Sequence, residues 1–379
     1  MARTFILVGD HYQLPPLVQN KEAQEGGLDV SLFKLLSDAH PESVVNLEHQ
    51  YRMCEDIMLL SNNLIYSGHL KCGTPEVAVR SLKIPNINGI KQHHHSQIPP
   101  TPNQKQICLG TSQGRCWLRD LVDPSAKTRL VNTDTLFAPA LDETNGSRIV
   151  NPTEAKLCTQ LVEAFISCGI SARSIGVITF YRSQLSLLKL NLSRHLPDLE
   201  MHTADKFQGR DKEIVILSCV RSNADNHVGD LLRDWRRVNV ALTRARTKLL
   251  VVGSKSTLRD GNELLGKYVK LVQDRGWIYD LPKNALENHV FESDNLMGST
   301  QASSVHGRAA ATPSPTKKSS PVSAAGRKSG VRKPLSPVQA RLTPQGLRKP
   351  AKKGAKLMSG NKVLGNRPVL QDVVNDLVG

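Results

Sequence analysis

At 379 residues, 39% of them hydrophobic and 4% aromatic, the chain has room for one large or two ordinary domains, but not for packing along its whole length. Its formal net charge is +16, and residues 301–379 carry 15 Lys and Arg against two acids, Asp372 and Asp376, which leaves about +3 for the first 300 residues. No apolar run approaches the ~20 residues of a membrane span, and seven scattered cysteines without a C-x-x-C pair or a signal peptide suit a soluble, intracellular, reducing setting rather than a zinc or iron–sulfur site.

Phe5, Ile6, Leu7 and Val8 read as a buried strand ending in Gly9-Asp10, residues 28–37 as a short helix, 44–47 as a strand and 55–66 as a helix. The polar, proline-rich stretch 79–103 reads as a surface loop, and the triplet His93, His94, His95 within it has no cysteine or carboxylate to complete a metal site. At residue 151 the local signals agree. Asn151 can cap a helix, Pro152 suits its first turn, Glu154 stands third, and Gly169 after Cys168 suits a left-handed stop. Beyond it, strands over 175–180, 214–220 and 249–253 alternate with helices over 182–195, 235–246 and 264–275. Such alternation predicts an α/β fold with a parallel sheet covered on both faces, spanning roughly residues 42–281.

Two segments imitate nucleotide-binding elements. Gly261 to Lys267 fits G-x-x-x-x-G-K, but Tyr268 follows where a short hydroxyl is needed for magnesium, and Leu264, Leu265, Tyr268 and Leu271 share one helical side. It reads as a structural helix start. Asp142-Glu143 follows an apolar run, but Pro139 breaks the central strand such a carboxylate pair requires, so this reads as a loop.

Four blocks carry a resemblance. They are Val8-Gly9-Asp10-His11-Tyr12-Gln13-Leu14-Pro15-Pro16; Leu47-Glu48-His49-Gln50-Tyr51-Arg52-Met53; residues 201–212, with Thr203, Gln208, Gly209 and Asp211; and Arg236-Arg237-Val238-Asn239-Val240-Ala241-Leu242-Thr243-Arg244-Ala245. In content and order they resemble motifs III, IV, V and VI of superfamily 1 helicases, in the Upf-like branch that moves 5′ to 3′. Any one block alone fits a turn or a solvated charge; four in order do not. The wording of 50–53, 205–212, 220–223, 231–241 and Asp280-Leu281-Pro282 is similar to the eukaryotic ATP-dependent helicase/nuclease group that acts in replication and repair, on flaps and resected ends.

The resemblance implies a RecA-like parallel sheet with helices on both faces. It divides the chain into residues 1–41, a remnant of a first motor domain; 42–290, the second RecA-like domain; and 291–379, a disordered basic tail. It implies ATP and Mg2+ as cofactors. Gln13, Arg52 and Arg244 would face the terminal phosphate, while Asp10, Gly209 and Asp211 would line the nucleotide. Asp211 would accept from a ribose hydroxyl, although relatives commonly have Glu there. Thr203 would hold a DNA phosphate. In Phe180-Tyr181-Arg182-Ser183-Gln184, which resembles a Tyr-x-x-Gln element, Tyr181 and Arg182 would meet single-stranded DNA, or Tyr181 packs the domain edge. The phosphate-cradling loop, the magnesium-holding carboxylates and the nuclease domain of that group have no residues here. The expected partners are therefore the missing amino-terminal half of the motor, single-stranded DNA and replication or repair proteins, in the nucleus and away from membranes. An RNA helicase of the same branch, or a non-enzymatic nucleic-acid-binding fragment, is the alternative.

Residues 297–368 are rich in Ser, Pro, Lys, Gly and Ala and read as disordered. Thr312, Ser314, Ser320, Ser336 and Thr343 each precede a proline, the pattern of a proline-directed kinase site. Lys317-Lys318, Arg327-Lys328, Arg332-Lys333 and the cluster from Lys349 to Lys353 suit nuclear import or sequence-blind DNA contact, and phosphate on those Ser and Thr residues would weaken such contact. A solvated linker without a partner is the plain alternative. Residues 369–378 regain apolar spacing and read as a short docking helix.

Overall fold

The computed structural model describes residues 4–93 and 116–287, with His289 and Phe291, all in one unit over residues 1–308; residues 309–379 form a second. The expected disorder, kinase sites and docking helix of the tail lie outside the described residues, as do His94 and His95.

In chain order the helices are α1 (Lys21–Glu25), α2 (Leu32–Ala39), α3 (Glu55–Leu64), α4 (Pro75–Val79), α5 (Trp117–Val122), α6 (Pro152–Ser167), α7 (Arg182–Asn191), α8 (Ala204–Phe207), α9 (Gly229–Arg233), α10 (Trp235–Leu242), α11 (Lys255–Gly261) and α12 (Glu263–Asp274). The strands are β1 (His49–Gln50), β2 (Lys71–Cys72), β3 (Thr128–Asn132), β4 (Glu143–Asn145), β5 (Arg148–Val150), β6 (Ile175–Thr179), β7 (Glu200–Thr203), β8 (Lys212–Ser218), β9 (Ala245–Gly253) and β10 (Ile278–Asp280).

Six strands form one sheet in the order β10-β3-β9-β8-β6-β7, every neighbouring pair parallel. The α/β reading with helices on both faces is therefore the fold seen. Leu250 and Val252 of β9 face a core with Trp117, Leu161 and Phe165 of α5 and α6; Leu249 and Val251 face the opposite core with Ile57, Phe207 and Leu265. A strand buried on both faces must be apolar at every position, which is why its sequence does not alternate. Lys248 stands immediately before the apolar run that begins at Leu249. It is 1% exposed, and its ammonium donates to the carbonyls of Asp123 (2.7 Å) and Ala126 (2.5 Å), tying the turn before β3 to the sheet.

The start of α6 follows its sequence signals. Asn151 Oδ1 accepts from Glu154 N, and Gly169 at φ +86° ends the turn after Cys168. Other expectations need correction. Residues 5–8 form no strand: Ile6 is 87% and Val8 84% exposed, and no described strand lies alongside to take their amides and carbonyls. Residues 44–47 likewise form no strand, and the pairing falls instead at His49–Gln50 against Lys71–Cys72. The helix expected over 235–246 stops at Leu242. There Thr243 Oγ1 donates to the carbonyl of Asn239 (2.8 Å) and Arg244 Nε to that of Val240 (2.8 Å), closing the last turn from outside it. The segment expected as one helix over 182–195 ends at Asn191 and continues as a single 3-10 turn, Ser193–His195. Three sheet strands, β3, β7 and β10, and helix α5 were not foreseen. The imitation phosphate loop is helical, with Asn262 Oδ1 capping Leu265 N and Tyr268 3% exposed.

Candidate functional site

Register places Lys212 beside Ala245, so the loops carrying Asp211 and Arg244 meet at the amino-terminal edge of the sheet, where Lys212 N–H donates to the Arg244 carbonyl at 3.0 Å. Arg244 is 1% exposed, and its Nη2 donates to Thr243 Oγ1 at 2.6 Å. Burial first, then the charge of Arg52, lower its pKa to about 10, so it remains cationic at neutral pH. Arg52 arrives from the turn before α3. Its Nη1 donates to the Thr243 carbonyl (3.1 Å) and its Nε to Asp211 Oδ2 (3.3 Å). Two guanidiniums thus converge on Thr243. The other Asp211 oxygen pairs with Arg246 at 2.6 Å, so both of its oxygens already serve arginines rather than standing free for a ribose hydroxyl.

Gln50 shapes the turn that aims Arg52. Its Oε1 accepts from the amides of Arg52 (3.0 Å) and Met53 (2.8 Å), and its Nε2 donates to the Met53 carbonyl (2.8 Å). Arg80 closes the turn from outside by donating to the Arg52 carbonyl at 3.1 Å.

Asp10 and Gln13 join this edge through α3 and α10. Asp10 Oδ2 accepts from Gln13 Nε2 (2.9 Å) and from the Tyr66 hydroxyl (2.6 Å). Asn239 Nδ2 donates to the Tyr66 oxygen (3.0 Å) and to the Tyr12 carbonyl (2.9 Å). Burial, then the Asp10 hydrogen bond, raise the Tyr66 pKa far above its ordinary value, so its proton stays in place as the donor. With Nε2 occupied by Asp10, Gln13 has its amide oxygen free to accept. A pocket of about 330 Å³ lies beside it, lined by Gln13, Lys34, Gln208 and Arg236 among others. Arg236 stacks on Trp235 at 4.4 Å. Gly209 turns the chain there at φ +79°, and nothing lies within 4 Å of where a Cβ would stand, leaving the backbone open to a ligand.

The opposite edge of the sheet gathers the remaining candidates. Thr179, Thr203 and Ser218 lie level at the carboxyl ends of β6, β7 and β8, where open α/β sheets take their ligands. Thr203 is 6% exposed and Arg182, first residue of α7, is exposed. Tyr181 is 8% exposed, with its hydroxyl donating to the Val228 carbonyl (3.3 Å) and burial raising its pKa to about 12. Of the two readings of Tyr181, this burial favours packing at the domain edge over stacking on a base.

The chain order hid several partners. Tyr66 stands 56 residues from Asp10, and Arg246 falls outside the four blocks. Only Gln50 and Asn239 carried a signal, lying inside motif blocks without a role. Among the described residues no three His, Cys, Asp or Glu side chains converge as a metal site, and no helix is long and apolar enough to cross a membrane. The cationic and amide groups at the amino-terminal edge suit phosphate oxygens, not a divalent cation.

Comparison with known proteins gives the chain a family. Residues 28–256 match the family described as AAA domain. The chain is 44% identical over 288 residues to the DNA replication ATP-dependent helicase/nuclease DNA2 of Saccharomyces cerevisiae, covering 76% of this chain and 18% of that protein. It is 41% identical over 295 residues to the dna2 protein of Schizosaccharomyces pombe, covering 78% and 20%, and 40% identical over 287 residues to DNA2 of Homo sapiens, covering 76% and 26%. The chain thus spans about a fifth to a quarter of the length of these relatives. With this match and a doubly covered parallel sheet, the chain belongs to the AAA domain family, among its superfamily 1 helicases.

Proposed function

We propose that this chain supplies the second motor domain of an ATP-driven 5′-to-3′ DNA helicase/nuclease that acts in DNA replication and repair in the nucleus. The observation that carries the reading is the convergence of Arg52 and Arg244 on Thr243, with Gln13 tied through Asp10, Tyr66 and Asn239 to the same helix α10. ATP would bind between this edge and the first motor domain of the longer protein, to which residues 1–41 contribute a remnant. Residues 42–290 form the second domain, and 291–379 the basic tail.

Two converging positive charges, that of Arg244 buried from water, are what a terminal phosphate needs as its bond breaks. The Gln13 oxygen accepts a hydrogen bond from the attacking water, and Arg52 exchanges Asp211 for phosphate as the domains close. Mg2+ would be held by carboxylates outside these residues. Single-stranded DNA would cross the carboxyl ends of β6, β7 and β8, meeting Thr203 and Arg182. Flap processing and end resection, partner proteins of replication or repair, and nuclease action belong to the longer protein.

ATP turnover by the purified chain, with and without single-stranded DNA, tests this. No turnover in either case is expected of a half-motor. DNA-stimulated turnover would overturn the half-motor reading and reopen the Gly261 to Lys267 segment.

A further inference from the structure

Glu154 occupies the third position of α6, where such a residue ordinarily reaches back to the capping amide. It does not. The Asn151 amide donates to Gln184 Oε1 (2.9 Å), while the wholly buried Glu154 Oε2 accepts from the Ser218 hydroxyl (2.7 Å) and the Val220 amide (2.8 Å). Its Oε1 meets no partner. Asn151 Nδ2 donates to the Val220 carbonyl (3.0 Å), so both polar groups of that residue are held from the start of α6.

Val220 needs holding. Its φ is +71°, the left-handed region that a β-branched side chain disfavours. Arg221, Ser222 and Asn223 follow, and Asp142 Oδ2 accepts from the Ser222 amide (2.8 Å) and from Asn223 Nδ2 (2.9 Å). Gln184, one turn into α7, donates to Ser218 Oγ (3.2 Å) and to the Asn151 carbonyl (3.0 Å). One buried network therefore sets both the loop after β8 and the helix that begins with Arg182 after β6, and these two strands are neighbours.

We infer that Glu154 is a positioning residue for the nucleic-acid edge, keeping Val220 left-handed so that the buried Arg221 and Ser222 anchor the loop after β8, and its residues from Asn223 onward present with Arg182 one fixed polar border to a single strand. The inference rests on the proposed path of the strand across the carboxyl ends of β6, β7 and β8. Burial raises the Glu154 pKa to about 8, which leaves the side chain largely neutral at physiological pH and spares the network a buried charge.

The test is the affinity of the whole chain for a fluorescein-labelled oligothymidine, read by anisotropy beside thermal melting. Glu154→Met keeps the volume and removes both acceptors, and should weaken binding by about ten-fold or more. Glu154→Gln, which can still accept both bonds, should bind within about two-fold of the unsubstituted chain. Val220→Gly takes the left-handed φ without strain, so in that background Glu154→Met should cost about two-fold or less. Should Glu154→Met fail to fold, Asn151→Ser keeps a capping side chain, releases the Val220 carbonyl and should show the same loss and the same glycine rescue. Equal losses with valine and glycine at 220, or a lowered melting temperature with unchanged affinity, would overturn the inference. Binding that Arg182→Ala leaves unchanged would overturn the edge reading itself, and the inference with it.

Discussion

Arg52 and Asp211 stand 159 residues apart in sequence and meet at 3.3 Å, with Arg246 closing on the other carboxylate oxygen at 2.6 Å. The ion pair holds Arg52 at the edge where Arg244 is already buried, in a turn that Gln50 has shaped. Its side chains are 34% and 26% exposed, so solvent screens it. Asp211→Asn should therefore change unfolding free energy by less than about 1 kcal/mol. A larger loss in chemical denaturation would mean that the carboxylate is a structural anchor for both arginines.

Under the proposed function, Arg244 would sit where charge develops on the terminal phosphate. In the longer enzyme, Arg244→Lys should cut kcat for ATP by roughly 10³-fold or more, because an ammonium cannot reproduce the guanidinium's planar donors. Steady-state turnover at saturating single-stranded DNA measures this. Turnover within ten-fold of the parent would remove the phosphate-stabilising role.

Gly209 is left-handed with open space around its missing side chain. Gly209→Ala should cost about 1–2 kcal/mol from backbone strain alone, and Gly209→Asn less, since Asn visits that region more readily. Thermal unfolding of the two variants decides. Equal costs would point to a steric cause instead.

Arg182 is exposed and Tyr181 buried, so their substitutions should part company. Arg182→Ala should weaken single-strand binding and reduce the slope of log affinity against log salt by about 0.7. Tyr181→Phe should leave affinity unchanged, because its hydroxyl is spent on Val228. A loss with Tyr181→Phe in a titration over salt would restore a direct role for that side chain.

Glu154 predicts a pH dependence. Its folded pKa of about 8 lies above the ordinary 4.5, so between these values the folded chain binds more protons than the unfolded one. Stability then falls as pH rises through that window and levels off above it. Glu154→Gln should flatten the fall in melting temperature between pH 5 and pH 8. The same slope in both proteins would assign the dependence elsewhere.

The sequence by itself determined the α/β alternation, the capped start of α6 and the order of four motif blocks. Each of those signals is assembled from short local pieces: a period, a cap or a fixed spacing. Only the tertiary structure decided what each side chain meets. The apolar residues 5–8 and 44–47 satisfy the local pattern of a strand, yet a strand exists only where a neighbour accepts its hydrogen bonds. Tyr181 admitted both stacking and edge packing in the sequence, and its burial beside Val228 favours packing. Glu154 looked like half of a capping box until β8, 64 residues on, supplied Ser218. Long-range partners win these contests because burying a polar group unpaired costs more than any local preference returns.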